Sequence, residues 1–538
     1  MPTSRARPAG RDGNGARAMK LFLAFAAIAV TLAAFYLILF SGLQGAAKAV
    51  LAVVLLAACS LSLQRLLGLE GELGLLLFRT RRGLGFLDRV ARKAPGLWVF
   101  LADIGLVAGF GLFSLFIFQK KIPKTTVVAG MVFLLVFWAA IFPFVAPLSL
   151  ELINLSGIEK DLLSGSEVAA TPGDPLGMVL SYILLLEAMV PVLLVMSGGL
   201  AFLLAYYVVF NAVDILMKMG ISAFALATGA SGGNAASTAL PGVSPILPGI
   251  NIPLVEGVLA LALILVFHEG AHAVLARVAR IPLKSAGIVF FGILPFGAFV
   301  DPDEEKLAKM DRDPQNRVLV AGSTANIYAA TAFFFVFLAF YFLVLAGFPS
   351  PLLGTRYVQV DAVAENGTAY GIVPAGAVIA QWNGVNVTTI GSLASAVGST
   401  GNASRIDILA RNGTLFTAAR GNRTANASLL PTQYGDYLEP GTGLQVSERN
   451  YGFVAFVNAL SADKPYVGFL FNFIGLAFVL NVLVGMVNLL PIPPFDGYRI
   501  LSLTLGEKSL YRSLTVTKAV VVLVVVAFIV NALPWLWR

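Results

Sequence analysis

Along this chain apolar residues gather into runs of bilayer length, separated by short polar or basic stretches. The runs cover Leu21 to Leu43, Ala46 to Leu63, Thr125 to Leu150, Leu176 to Met217, Leu254 to Val278, Val318 to Ala346, Val467 to Leu490 and Val516 to Leu533. A helix needs about 20 mostly apolar residues to cross a hydrocarbon core, so each run predicts a membrane span. Leu176 to Met217 would measure about 60 Å as one helix, and two spans turning near Ser197-Gly198-Gly199 fit it better. Trp98 to Phe118 is also apolar, but it holds Asp103 and three glycines and is followed by Lys120, Lys121 and Lys124. It reads as a re-entrant or interface-lying segment. The expected architecture is a polytopic α-helical membrane protein of about nine spans. Were residues 98–118 to cross and 176–217 to form one tilted helix, the number would be unchanged.

Charge assigns the sides. Basic residues collect in cytoplasmic loops, and here they precede the first run (Arg5, Arg7, Arg11, Arg17 and Lys20) and fill the loop carrying Arg79, Arg81, Arg82, Arg89, Arg92 and Lys93. The N-terminus is therefore expected inside. The loop after Leu150 is acidic, with Glu151, Glu159, Asp161, Glu167 and Asp174 against Lys160, as an outer loop should be. Between Gly354 and Glu448 the pattern changes to short alternating stretches such as Tyr357-Val358-Gln359-Val360, with turn signals at Asn383-Gly384 and Asn412-Gly413. This predicts a small soluble domain with strands, placed outside. Six N-x-S/T sequons fall in it, at Asn366, Asn386, Asn402, Asn412, Asn422 and Asn426. An outside location would expose them to glycosylation, although a surface rich in Thr, Ser and Asn also generates such triplets by chance.

Composition sharpens this picture. Only 12% of the 538 residues are charged and 58% are hydrophobic, which excludes an ordinary soluble enzyme. The net charge of +8 resides in short loops between apolar runs, the mark of a cytoplasmic membrane face and not of a nucleic-acid partner. The single cysteine, Cys59, excludes a disulfide framework and a thiolate metal cage. Any metal must be held by His, Asp or Glu.

The two histidines of the chain form His268-Glu269-Gly270-Ala271-His272, near the end of an apolar run. Residues four apart share a helix face, with Cβ atoms about 5–6 Å apart, so both imidazoles can reach one Zn²⁺ at about 2.0–2.1 Å. The intervening Glu269 can then act as general base on a water that zinc has made more acidic. Peptide hydrolysis suits such a site best. A His pair on a helix can also be satisfied by packing hydrogen bonds or mark a proton path, but ionisable groups at membrane depth are costly and usually functional.

A third protein ligand is needed, and two sets of carboxylates compete for the place. One is Asp301, Asp303, Glu304 and Glu305, soon after the helix; the other is Asp496, in the Pro-rich stretch from Asn488 to Gly497. The first set is dense and polar, as in a solvated loop. Asp496 ends a long apolar segment where irregular backbone is tolerated only inside protein or beside a cavity, and it is favoured.

His268-Glu269-x-x-His272, Gly322-Ser-Thr-Ala-Asn326 and the Asn-x-x-Pro-x-Pro-x-x-Asp-Gly stretch at 488–497 together resemble the site-2 protease family, zinc metalloproteases that cut inside membranes. The resemblance implies that His268, His272 and Asp496 bind zinc, that Glu269 is the catalytic base, and that Asn326 and Asn488 help hold the substrate or stabilise the reaction centre. Packing hydrogen bonds are the plain alternative for both asparagines. Ser323 stands where proline is commoner in the family, and Phe495 where leucine is usual; neither change removes a ligand. Ala286 to Val300, apolar and too short to span, resembles the family's membrane-dipping β-hairpin. The insert resembles a PDZ domain through the stretch from Glu365 to Gly384, with Pro374-Ala-Gly376 leading into a strand that ends at Asn383-Gly384.

The chain thus divides into a basic tail (1–20), N-terminal spans with a basic loop (21–217) and a Gly/Pro-rich connection (218–252). A protease core follows at 253–350 and 464–500, interrupted by a mixed α/β PDZ-like insert (351–450) and followed by a C-terminal span (501–538). The expected function is intramembrane zinc proteolysis of a transmembrane protein within the bilayer, in a multi-pass cell-membrane protein. The insert would contact a peptide or ectodomain, or act as a spacer or size filter. The alternatives are a membrane-anchored protease facing the cytosol with Glu304 as third ligand, a metal transporter, and an inactive scaffold, against which the intact Glu269 counts.

Overall fold

The structure is a computed structural model. The residues described are 12–39, 41, 45–72, 75–81, 83–145, 175–228, 236, 239, 241–243, 246–349, 353–364, 367–399, 405–410, 414–419, 430–431, 437–439, 442–450, 452–506 and 510–536. The basic residues Arg5, Arg7 and Arg11, the acidic loop, the Asn412-Gly413 turn and the sequons at Asn366, Asn402, Asn412, Asn422 and Asn426 lie outside them.

The chain forms two compact units. Of the described residues, the first comprises those up to 145, those from 175 to 338 and those from 472 on, and the second those between 339 and 471. The N-terminal part contains α1 (Asp12–Leu39), α2 (Gly45–Leu67), β1 (Glu70–Glu72), β2 (Leu75–Thr80), α3 (Leu84–Lys93), α4 (Pro95–Phe110), α5 (Ser114–Ile117), α6 (Lys124–Val136) and α7 (Pro175–Thr228). Then come α8 (Leu254–Val278), β3 (Leu283–Phe291), β4 (Leu294–Pro302), α9 (Glu304–Ala308) and α10 (Arg312–Gly347). Among the described residues eight helices are long and apolar enough to cross a membrane.

Three details bear on the sequence reading. Residues 98–118, read as a re-entrant or interface-lying segment, are helical in two pieces, α4 and α5, joined by a short 3-10 turn, and Pro95–Ile117 is the most buried of the eight candidate spans. Residues 176–217 belong to the single helical run α7, broken at Gly199 with φ 64° and ψ −156°. That backbone is open to glycine and strained for other residues. A Cβ there would collide with the backbone of Ala108 and Gly109, so the break also lets the backbones of α7 and α4 come close. Arg79 is not in a free loop but in β2, and β1-β2-β3-β4 form one antiparallel sheet, with Phe78 opposite Ile288 and Ala286 opposite Val300.

Residues 286–300 therefore lie in a β-hairpin. Its tip is seated on the N-terminal helices: the Gly292 N–H donates to Ser60 Oγ of α2 at 2.6 Å, and Ile293 packs against Ala24, Cys59, Leu63 and Leu76. Arg79 ties β2 to the hairpin, donating to Ser285 Oγ at 3.2 Å and to Asp301 at 3.1 Å, and also to Glu70 at 2.7 Å.

The second unit holds an antiparallel sheet of β5 (Arg356–Val363), β6 (Val378–Trp382), β7 (Val385–Asn386), β8 (Arg405–Ala410), β9 (Leu415–Ala419), β10 (Leu430–Pro431), β11 (Tyr437–Glu439) and β12 (Leu444–Asn450). Strand order is β10-β11-β12-β5-β6-β8-β9, with β7 pairing β6, and α11 (Ile390–Ser399) packs into the same core. Asn383 and Gly384, both at positive φ, make the two-residue turn between β6 and β7. Trp382, Val358, Leu393 and Ile406 are among its fully buried residues. After it come α12 (Phe453–Asp463), α13 (Pro465–Val487), α14 (Asp496–Gly506) and α15 (Leu510–Ala532).

Candidate active site

The site is built where α8, α10 and the start of α14 meet. α8 begins just after Pro253, which is extended, and carries Glu256 in its first turn and Arg277 in its last. Both charges agree with the helix dipole. This places His268 and His272 on one face in the last three turns. The 488–497 stretch leaves the end of α13 and folds back, because the Gly497 N–H donates to the Asn488 carbonyl at 2.8 Å. A Cβ on Gly497 would strike the Leu489 carbonyl, which explains the glycine after Asp496. Asp496 then opens α14 facing the two imidazoles.

His268 Nε2 and His272 Nε2 lie 3.2 Å apart, and Asp496 Oδ2 lies 3.3 Å from His272 Nε2 and 3.8 Å from His268 Nε2. For ligands about 2.0–2.2 Å from one ion, the edge of a coordination tetrahedron is about 3.3–3.6 Å, so the triangle fits a Zn²⁺ with one position left open. The rest of each ring supports this. His272 Nδ1 donates to the Val318 carbonyl at 2.7 Å, which leaves Nε2 bare and aimed at the site. His268 Nδ1 lies 3.1 Å from Asn326 Nδ2, while Asn326 Oδ1 is buried with no hydrogen-bond partner. Turning that amide over gives the orphaned oxygen to an Nδ1–H and leaves His268 Nε2 bare as well. Two bare nitrogens facing each other at 3.2 Å call for a cation between them.

Gly322 explains the first residue of the Gly-x-x-x-Asn element. A Cβ there would run into both imidazoles, so α10 must be bare at this turn for the two rings to meet. Glu269 is half-buried, and its Oε2 accepts the Val300 N–H of β4 at 2.9 Å.

The other sequence candidates are distributed as follows. Asn326 is fully buried against His268. Asn488 does not join the ligand group; its amide donates to the Val484 carbonyl one turn back, at 3.0 Å. Three of the four carboxylates at 301–305 are engaged elsewhere. Asp301 meets Arg79, and Glu304 meets Arg499 at 2.8 Å. Asp303 caps α9, and the Lys306 backbone N–H holds its carboxyl below the usual carboxylate range. His268, His272 and Asp496 form the one group of three potential metal ligands among the described residues. Sequence reasoning missed Val300, whose part is played by its backbone, and Gly322 as a space-making residue. It also missed Arg317, which pairs with Asp103; the signal was Asp103, a lone carboxylate in an apolar run.

Residues 256–532 match the family model of peptidase family M50. That is a little over half of the chain, and it includes every member of the site. The chain therefore belongs to peptidase family M50, the site-2 protease family. Its members are zinc metalloproteases, and this chain carries a His-His-Asp group among helices long and apolar enough to cross a membrane. The chain is also similar to the uncharacterized protein MJ0971 of Methanocaldococcus jannaschii, 39% identical over 80 residues. That stretch is 15% of this chain and 21% of the relative, so the chain spans about a fifth of that protein's length.

Proposed function

We propose that this protein is an intramembrane zinc endopeptidase that cuts a transmembrane helix of a membrane-protein substrate. The observation that carries the reading is the meeting of His268, His272 and Asp496, brought from α8 and from the broken segment after α13, with Glu269 beside them. Zinc, when bound, supplies Lewis-acid activation of water and of the scissile carbonyl. His268 Nε2, His272 Nε2 and an Asp496 oxygen would hold it. Glu269 takes a proton from the attacking water as the C–O bond forms, and returns a proton to the amide nitrogen as the C–N bond breaks. The Val300 N–H fixes Oε2 of that carboxylate, so Oε1 is the oxygen free to carry the proton. Asn326 orients His268 in this reading and is too buried to reach a substrate.

A helical substrate must unwind locally, since its carbonyls are otherwise hydrogen-bonded and shielded. The β-hairpin beside Glu269 is suited to receive the unwound stretch. Arg277 in the last turn of α8, Arg280 just after it and Arg499 after Asp496 support a site near the cytoplasmic ends of its helices, from which the cut fragment would leave to the cytoplasm. By analogy with the family this is regulated intramembrane proteolysis, with the N-terminus inside. The PDZ-like insert would be outside, as a size filter or a peptide contact.

A cytosol-facing protease needs Glu304 as third ligand, and that carboxylate is paired with Arg499. A transporter needs further ligands along a path. The test is zinc content together with cleavage of a single-span helical reporter. Glu269→Gln is expected to keep zinc and lose cleavage, Asp496→Ala to lose both, and Glu304→Ala to keep both. Cleavage at the normal rate by Glu269→Gln would sink the mechanism.

A further inference from the structure

The family match begins at residue 256, yet the most buried candidate span, Pro95–Ile117, precedes it by more than a hundred residues. α4 lies directly on α10, the helix that carries the Val318 carbonyl, Gly322 and Asn326. A Cβ on Gly105 would collide with the Thr324 side chain, and one on Gly109 would touch Leu489 at 3.3 Å. The Tyr328 hydroxyl donates to the Leu101 carbonyl at 2.9 Å. At the other end of the contact, Asp313 accepts the backbone N–H groups of Gln119 and Lys120 at 2.6 and 3.0 Å.

Between these two ends sits an ion pair. Asp103 on α4 accepts two hydrogen bonds from Arg317 on α10, Nε at 2.6 Å and a terminal nitrogen at 3.0 Å. The Asp103 side chain is 8% exposed. Such a fork fixes both distance and orientation, whereas its contribution to stability is small, because desolvation offsets the attraction. Arg317 immediately precedes Val318, whose carbonyl holds His272 Nδ1 at 2.7 Å. The pair therefore clamps the turn of α10 that sets the tautomer and tilt of a metal ligand.

We infer that Asp103 is a positioning residue of the metal site: through Arg317 it fixes the α10 carbonyl that orients His272. The inference rests on the metal site proposed above. It gives the N-terminal region a task in the reaction, since α4 completes the scaffold on which the family-matched helices hold their ligands. Asp103 touches no reacting atom and acts only through Arg317.

The experiment measures zinc dissociation constants by chelator competition on the full chain in detergent, together with the visible spectrum of the Co²⁺-substituted protein. Loss of an outer-shell partner typically weakens metal binding about 10–100-fold. Asp103→Asn and Arg317→Lys are each expected to weaken zinc about tenfold and to shift the cobalt bands. The two together should weaken it no more than the worse of the pair, since they interrupt one connection. Should Asp103→Asn fail to fold, the apolar pair Asp103→Leu with Arg317→Met decides, because replacing a buried ion pair by apolar residues generally preserves stability. It should remain folded and still bind zinc about tenfold more weakly. Wild-type zinc affinity and an unshifted cobalt spectrum in the folded apolar pair would overturn the inference, as would additive effects of the single variants. His272→Ala separates this from the reading beneath it. If His272→Ala abolishes zinc binding while the Asp103 variants bind normally, only the inference falls; if His272→Ala binds zinc like wild type, the metal site itself falls.

Discussion

A metal-binding imidazole is only as well aimed as the partner of its other nitrogen. His272 has a backbone carbonyl for this task, which no side-chain substitution removes, whereas His268 depends on the Asn326 amide 3.1 Å away. Asn326→Asp keeps an acceptor for Nδ1–H and is expected to retain zinc. Asn326→Leu keeps the volume and loses the acceptor, and should weaken zinc about 10–100-fold; isothermal titration of the apoprotein checks both, and equal affinity would reduce Asn326 to packing. The meeting of the histidines as potential ligands was legible in the sequence, because two histidines in 538 residues, four apart, leave few readings. Two features were not. Gly322 matters for the atoms it lacks, and its need appears only when both rings stand against it. Val300 contributes a backbone N–H, which every residue but proline possesses.

That N–H makes β4 the element on which Glu269, the proposed general base, depends. It points to Glu269 and away from β3, so Val300→Pro removes the bond without taking a hydrogen bond from the hairpin ladder. The variant is expected to keep zinc and lose at least about tenfold in kcat with little change in KM, as for removal of one charge-assisted hydrogen bond. Steady-state cleavage of the helical reporter checks it, and an unchanged kcat would free Glu269 from the strand. The hairpin was readable from the length of its apolar stretch. Its third and fourth strands were not, since Leu75–Thr80 ends in the arginines of a basic loop and pairs with residues about two hundred positions away. A pairing so distant leaves no local pattern. The break at Gly199 was readable because two adjacent glycines interrupt an apolar run. That residues 98–118 are deeply buried was masked by Asp103, whose charge is met by Arg317 more than two hundred residues on.

At the scale of the whole molecule the second unit has a core of its own, closed around Trp382, which is 1% exposed. Residues 353–451 are therefore expected to fold when produced alone, with a blue-shifted fluorescence from Trp382, the single tryptophan of that stretch. Trp382→Phe should retain a cooperative melt, and Trp382→Ala should lose about 3–5 kcal/mol, enough to unfold a domain of this size; a red-shifted spectrum without a melting transition in the isolated wild-type stretch would count against an independent core. The membrane unit is assembled in the opposite manner, from distant parts of the chain. Its sheet joins β2, which ends at Thr80, to β3, which starts at Leu283. At about 5–20 residues per second, the ribosome makes β3 some 10–40 s after β2. During that interval β2 has an unfilled edge, and Glu269 and the Val300 N–H that holds it arrive only at its end, with α8 and β4. Asp496 comes later still, so the order of synthesis leaves the site incomplete until the chain is nearly finished: a half-made chain in the translocation machinery, with two of its three potential ligands, would leave the newly inserted helices around it uncut.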